Sequence, residues 1–412
     1  MLDIKLVRDN KEKIRKATEA KGFDGKLVEL TLKADEKRRK LLNKVEQLRA
    51  KRNKLTKSDI SKGRELKKEL KIEEEKLGVV EKEFETLMLK IPNPSAADVK
   101  VGPPEANEIL KHVGKPKNFA FEVKDHLEIG QLTDTIDIER GAKVSQSGFY
   151  YIKNDGAFLE FALVQYALNK LAKMGFVPVI TPNVVKEKNM VGCGFQARSD
   201  KERQIYHLEG EDLDLIATAE ITLVGQHTDE TIEAKDLPKK YVGYSYCYRT
   251  EAGSYGKDVR GILRVHEFRK VEMVVFCDPS DSDVWHKKLL EIEEGVWKDL
   301  GIPYRVVKMA SGDLGSAASR KFDIEAWMPS QNKYREVTST SNTTDFQARR
   351  LNIKIKKNGK SEYLHTLNGT VLALGRAMIA IYENFQQEDG SIVIPAVLHK
   401  WMGKKIIKLR KS

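Results

Sequence analysis

Residues 248–274 read YRTEAGSYGKDVRGILRVHEFRKVEMV. On either side of a basic, glycine-bearing segment, YVGYSYCYRT (241–250) and ILRVHEFRKVEMVVF (262–276) alternate apolar and polar side chains with the period of a strand and a return strand. Arg249 and Glu251 belong to the end of the first run. The planar fork of Arg249 suits a carboxylate or phosphate, and Glu251 can orient that fork or accept from the amino group of a base. Gly253, Gly256 and Gly261 punctuate the connection, and Lys257, Arg260 and Arg264 crowd it with positive charge, a composition suited to a loop over polyphosphate. On the return strand the alternation puts Arg264, His266 and Phe268 on one face and Val265 and Val271 on the other, so a purine can stack on Phe268. The stretch therefore reads as an anion site beside an aromatic platform.

Four more segments stand outward of it. GFVPVITP (175–182) follows a helical stretch at 158–174, ATAE occupies 217–220, REVTSTSNTTDFQARR 335–350 and NGTVLALGRAMIAIYENFQ 368–386. In this order the segments resemble those of class II aminoacyl-tRNA synthetases, specifically the seryl-tRNA synthetases of bacterial type. Residues 158–182 resemble motif 1, which builds the dimer interface in this class; 248–274 resemble motif 2 and 368–386 motif 3. ATAE is similar to the family's serine-binding loop, and 335–350 to its ATP and metal segment. Three departures from the common bacterial pattern stand out: NGT for NGS at Thr370, YRTE for FRSE and TSTSN for SSCSN. The methyl group of Thr370 is the one that bears on the serine pocket.

The 412 residues exceed one ordinary domain, and 73 Lys and Arg against 61 Asp and Glu leave a formal charge of +12. Such an excess suits a polyanionic partner, but it also serves solubility, so its location decides its meaning. Cys193, Cys247 and Cys277 are too few and too widely spaced for a zinc motif or a disulfide framework, which points to a reducing compartment. No apolar run approaches the ~20 residues that span a bilayer. MLDIKLVRDN carries acids at its start, unlike a secretory or transit peptide. The expectation is a cytoplasmic protein with no membrane partner.

The charge concentrates near the N-terminus. A short cap, with a helix over 11–22 begun by Asp9 or Asn10 and ended by Gly22, precedes a charged helix over 27–57 that repeats Ala34, Leu41, Leu48 and Leu55 at heptad spacing around Val45. After 58–63, a second helix carries Leu66, Leu70, Leu77, Val80, Phe84, Leu87 and Ile91 on a three-four spacing broken at Glu73. Each helix has one apolar seam and neither can bury it alone, which predicts an antiparallel hairpin over about 27–91. KRRK (37–40), RAKRNK (49–54) and KGRELKKELK (62–71) read locally as solvated helix faces. The family resemblance makes the hairpin a coiled-coil arm that grips the long variable arm of a tRNA by shape and phosphate contacts. Prolines at 92 and 94 flank Asn93 and, with those at 103 and 104, end the arm and bound a linker, and KKIIKLRKS at the C-terminus reads as a loose basic end.

The expected architecture is thus α+β: an N-terminal tRNA-binding domain (1–100) and a class II catalytic domain (101–412) built on an antiparallel sheet flanked by helices. The resemblance implies a serine–tRNA ligase that activates L-serine with ATP and passes it to tRNA(Ser), with tRNA(Sec) as a further acceptor, in a homodimer. It implies Arg249 on the amino-acid carboxylate and α-phosphate, Arg376 on the γ-phosphate, Glu251 on the adenine side, Phe268 under the adenine and Val265 contacting the nucleotide through its backbone, with Thr250 also in the ATP site. Val337 and Thr338 join the ATP site, with Glu336 and Ser339 also holding Mg2+. For serine it implies Thr218, Ala219, Glu220, Glu272 and Thr370 together with Arg249. A noncatalytic RNA-binding relative would keep the arm and lose the ATP residues, and a carrier-protein ligase would lack the arm. The chain has both.

Overall fold

The computed structural model describes residues 1–55, 59–195, 204–252 and 261–410. Gly253, Gly256, Lys257 and Arg260 of the glycine-bearing segment, and 56–58 between the arm helices, lie outside them. The chain divides into two compact units, Met1–Ser95 and the remainder from Ala96. The units part a few residues before the expected boundary at 100. Ala96 N donates to Ser319 O, Asp98 pairs with Lys308 and Arg320, and Val99 packs with Val307 and Met309, so 96–100 belong with the second unit.

In the first unit two helices, α1 (Lys26–Asn53) and α2 (Ile60–Lys90), form the expected antiparallel hairpin, and Ile4–Asp9 and Lys11–Ala20 cover its base. Val45, Leu48, Leu70 and Leu77 make one apolar layer, while Val28, Ala34, Phe84, Met88 and Ile91 make another with the cap. The break at Glu73 is a polar layer of the seam. The buried carboxylate takes Lys44 from the facing helix at 3.1 Å and Lys76 at 2.9 Å. A paired charge set between apolar layers disfavours slipped registers, which would strand it in the seam.

The second unit is built on an eight-stranded sheet: β1 Glu108–Val113, β2 Val177–Ile180, β3 Lys239–Tyr248, β4 Glu267–Cys277, β5 Tyr304–Lys308, β6 Arg320–Met328, β7 Lys333–Asn342 and β8 His365–Ala373. The spatial order is β1-β5-β6-β7-β8-β4-β3-β2, and every pairing is antiparallel except the parallel β2–β3 edge. Helices α3 (Asn154–Lys173), α4 (Ala219–Gly225), α5 (Ser282–Leu300) and α6 (Leu374–Phe385) flank it. The alternation of β4 sorts the two faces. Val271, Met273, Val275 and Cys277 enter the large core with Leu163 of α3, Trp297 of α5 and Ile379 of α6. Val274 and Phe276 point the other way, into a smaller core with Ile221 and Leu223 of α4. That second core covers only part of its face and leaves a cleft over β4, β7 and β8.

Both strands of the opening stretch are shorter than their alternation suggests. β3 stops at Tyr248, whose N–H turns to Ile216 O, and Glu251 leaves the extended region at φ 49°. β4 begins at Glu267, so Arg264 and His266 precede the ladder. The basic C-terminus is docked as far as it is described: Ile406–Ile407 pair with Ile392–Val393, Ile407 is buried, and Arg410 N donates to Leu132 O.

Candidate active site

Two adjoining cavities open in this cleft, of about 320 and 510 Å³, each within the range of small-molecule sites. Arg249, Glu251, Arg264, Lys270, Lys321, Ser339 and Thr370 line both. Their characters differ. The first holds five cations (Arg249, Arg264, Lys270, Lys321, Arg376) against Glu251 and Glu336. The second sets four cations against four carboxylates: Glu220, Glu251, Glu272 and Asp313. One side is built for polyanions and the other for a molecule with charge of both signs.

In the first cavity, Arg249 follows directly on β3, its guanidinium 5.1 Å from the centroid of the Phe268 ring. The main chain there is clamped to the return segment: Arg249 N donates to His266 O, and His266 Nδ1 donates to Arg249 O at 3.0 Å. Glu251 orients a different guanidinium from the one expected, accepting from Arg264 Nη1 at 2.6 Å. Across the cavity, the first turn of α6 brings in Gly375 and Arg376; Arg376 Nη1 lies 3.0 Å from Glu336 O and 3.3 Å from its Oε1. Burial opposes ionisation of Glu336, but the charges of Arg376, Lys321 and Arg249 outweigh it and hold the carboxyl well below the usual carboxylate range. Its side chain stays 46 % exposed toward the cleft.

Glu336 and Ser339 reach the same cavity although three residues apart on one strand. The register explains this: Ile324 faces Thr338 and Glu325 faces Glu336, so Val337 is an extra residue in β7. Such a bulge shifts the alternation by one position and brings an odd-spaced pair to one face.

In the second cavity, Glu272 of β4 lies opposite Thr370 of β8, and Thr370 Oγ1 donates to Glu272 Oε2 at 3.0 Å. Lys270 Nζ reaches the same oxygen at 2.6 Å. Glu220 accepts from Gln347 Nε2 at 2.6 Å and from Asn368 Nδ2 at 2.9 Å. Burial and the charge of Glu272 push its carboxyl up to about 7, against the opposing pull of Gln347. Thr218 is the N-cap of α4, its Oγ1 accepting from Glu220 N, and so fixes where Glu220 begins its helix.

The cleft brings together Arg249, Glu251, Val265, Phe268, Glu336, Val337, Thr338, Ser339, Thr370 and Arg376 on the first side, and Thr218, Glu220, Glu272 and Thr370 on the second. Two expected residues line neither cavity. Ala219 packs beneath β3 where Gly243 leaves room for it, and Thr250 N–H is engaged by Gln204 O. Lys270, Lys321, Gln347 and Asn368 are the residues sequence reasoning passed over. Lys270 carried a readable signal, since it continues the face of Phe268 toward Glu272. The other three meet the site only through pairing and packing.

A family model of the tRNA synthetase class II core domain (G, H, P, S and T) matches residues 205–385, and one of the seryl-tRNA synthetase N-terminal domain matches residues 1–94. The chain is 45 % identical over 427 residues to a serine–tRNA ligase of Dictyoglomus turgidum, with both chains covered in full, and 42 % identical to one of Rubrobacter xylanophilus over 99 % of each. Its fold superposes on the seryl-tRNA synthetase of Pyrococcus horikoshii, solved in complex with ATP, with a TM-score of 0.92, 39 % identity and full coverage of both chains. Likeness that runs from end to end, through both units and every segment that builds the cleft, makes this chain a member of the seryl-tRNA synthetase family, ATP-dependent class II aminoacyl-tRNA synthetases that act as serine–tRNA ligases.

Proposed function

We propose that the cleft carries out serine activation and transfer in two steps. A serine carboxylate oxygen attacks the α-phosphorus of ATP, the bond to the bridging oxygen breaks, and pyrophosphate leaves; a terminal ribose hydroxyl of tRNA(Ser) then attacks the acyl carbon and releases AMP. The observation that supports this reading most is Arg249, which stands in the wall common to the cation-rich and carboxylate-bearing cavities. A guanidinium there contacts the attacking carboxylate and the α-phosphate together, holding two anions in line and offsetting their repulsion. In this reading Arg376 takes the γ-phosphate, Phe268 stacks on adenine, Glu251 and the Val265 backbone border the base, and Glu220, Glu272, Thr218 and Thr370 receive the serine ammonium and hydroxyl. A pocket built around a hydroxyl rejects alanine by leaving buried polar groups unpaired.

The donor set suits magnesium. Glu336, held ionised by its cationic neighbours, and Ser339 offer hard oxygen ligands on one face of the cleft. Among the described residues no cluster of three or more metal-ligating side chains occurs; a site made of one carboxylate, one hydroxyl and substrate phosphates needs none. The ion would offset phosphate charge, leaving the protein to position reactants.

The deciding experiment is pyrophosphate exchange with each amino acid in turn. Serine alone should support it, and Arg249→Ala or Arg376→Ala should lower it by roughly a hundredfold or more with tRNA affinity kept. Exchange driven by another amino acid, or untouched in both variants, overturns the reading. We extend the acceptor to tRNA(Sec), tested by serylation of that transcript, and place the enzyme in the cytoplasm, tested by fractionation; among the described residues no helix is long and apolar enough to cross a membrane. We also propose a homodimer, a reading supported by Phe158 and Phe161 of α3 and Val177 and Ile180 of the edge strand β2, all exposed, Ile180 at 83 %. Apolar side chains clustered in two adjacent elements mark a protein interface. A wild-type monomer in sedimentation, or an Ile180→Asp variant as dimeric as wild type, would remove that support.

A further inference from the structure

We propose that His126 is a positioning residue for ATP binding: it holds the cleft wall at Ile262 through the main chain. The inference rests on the ATP site described above and assigns a residue that the site itself does not contain.

His126 opens the short helix His126–Leu132, whose first turn is fixed by a capping box between Asp125 and Glu128. The ring is buried and outside both cavities. Its Nε2 accepts from Ile262 N at 3.3 Å, and its Nδ1 lies 3.4 Å from Glu383 Oε1. One ring nitrogen must accept and the other donate, so the arrangement selects the neutral Nδ1–H tautomer. Glu383 is fully buried on α6, and its other oxygen accepts from Ser330 N at 3.1 Å and Ser330 Oγ at 2.8 Å. The carboxylate that sets the tautomer is therefore itself held from the opposite side.

The main chain runs unusually close to the ring. Gly261 has φ +90°, and a Cβ there would fall 2.1 Å from His126 Nε2. A side chain is excluded both by the backbone conformation and by the imidazole. Ile262 and Leu263, which follow, line the cation-rich cavity. The carbonyl of Ile262 lies against Gly375, where a Cβ would meet it at 3.3 Å. Thus α6 holds Ile262 on both sides, by Gly375 at its carbonyl and by Glu383 through His126 at its amide.

Glu383 from α6 and the Gly261–Ile262 backbone face the imidazole; among the described residues Glu383 is its ion-pair partner.

The test is the KM for ATP in serine-dependent pyrophosphate exchange at saturating serine and neutral pH. His126→Ala should raise it by about threefold to tenfold, the scale of one lost hydrogen bond, with a smaller change in kcat. His126→Gln, whose amide oxygen can accept from Ile262 N, should restore the wild-type value. If His126→Ala does not fold, His126→Leu, which keeps the bulk and lacks the acceptor, takes its place. A wild-type KM in the variant without an acceptor, or a KM in His126→Gln as high as in that variant, overturns the inference and leaves the functional reading standing. No serine-dependent exchange in wild type overturns both.

Discussion

If the serine ammonium of the proposed reaction is received by Glu220, that carboxylate must be ionised when the substrate arrives, and at Glu220 this is not automatic. Burial and the neighbouring Glu272 push it up to about 7, so near neutrality a large share of the empty enzyme carries the neutral form. Glu272 offers little relief, since Lys270 and Thr370 already occupy one of its oxygens. Because the folded-state value is raised, the binding-competent anion is depleted as pH falls through about 7 and complete well above it. The KM for serine should therefore climb toward tenfold per pH unit on the acid side, while Glu220→Gln should bind serine weakly at every pH. Exchange assays at saturating ATP between about pH 6 and 8 measure this. A flat KM in wild type would mean that the ammonium is received elsewhere.

Between residues and the whole stand the strands, and here two irregularities do as much as any side chain. One extra residue at Val337 in β7 puts Glu336 and Ser339 on one face, and a second, between Thr370 and Leu372 in β8, follows the Thr370–Glu272 pair. Inserting one alanine between Ile324 and Glu325, opposite the bulge, gives Val337 a partner; it should restore the plain alternation, turn Glu336 away from the cleft and abolish exchange while circular dichroism stays native-like. Val337→Ala, which keeps the bulge and only trims a buried side chain, should cost about 1–3 kcal/mol of stability and keep most activity. If the insertion variant remained active, the bulge would not be what aims Glu336. This also marks where the sequence stops being legible. The period of two on 262–276 groups Phe268 with the face that carries Lys270 and Glu272, and the heptad and three-four spacings of the arm forecast the hairpin, because both patterns are local. A bulge depends on which strand lies alongside, and the amides of Gln347 and Asn368 reach Glu220 only after β8 and the short helix Phe346–Leu351 have packed. Nothing in REVTSTSN or ATAE encodes those meetings. The ends of β3 and β4 escape the sequence for a similar reason: the alternation continues past Tyr248, but its N–H is taken by Ile216.

At the scale of the whole chain, the charge of +12 raises the question of which cations are available to an RNA. The three basic runs of the arm look alike in sequence but differ in structure. Around KRRK, Arg38 and Arg39 join Arg8 on the buried Asp35, Arg38 stacks 4.8 Å from the Phe84 ring, and Lys40 pairs with Glu36. These groups serve the fold. Toward the hairpin tip Arg49 pairs with Glu74, whereas Lys51, Arg52, Lys54, Arg64, Lys67, Lys68 and Lys71 are exposed and have no ion-pair partner within 4 Å among the described residues. Cations held by neither partner nor burial can displace counterions from phosphates, and each phosphate so neutralised should add about one to the salt slope of binding. The tip variant Lys67→Glu/Lys68→Glu/Lys71→Glu should therefore weaken tRNA(Ser) binding steeply at low salt and reduce that slope by about one for every phosphate left without its lysine, with serine-dependent exchange unchanged. Asp35→Ala should do the opposite. Stripping three guanidinium groups of their shared partner should lower stability by about 1–3 kcal/mol, while protein that remains folded keeps the wild-type slope. Filter binding across a salt series separates the two outcomes. Should the tip variant bind tRNA with an unaltered slope, the hairpin's cations would be solvated helix faces, and the polyanion that the net charge implies would have to be held by other parts of the chain.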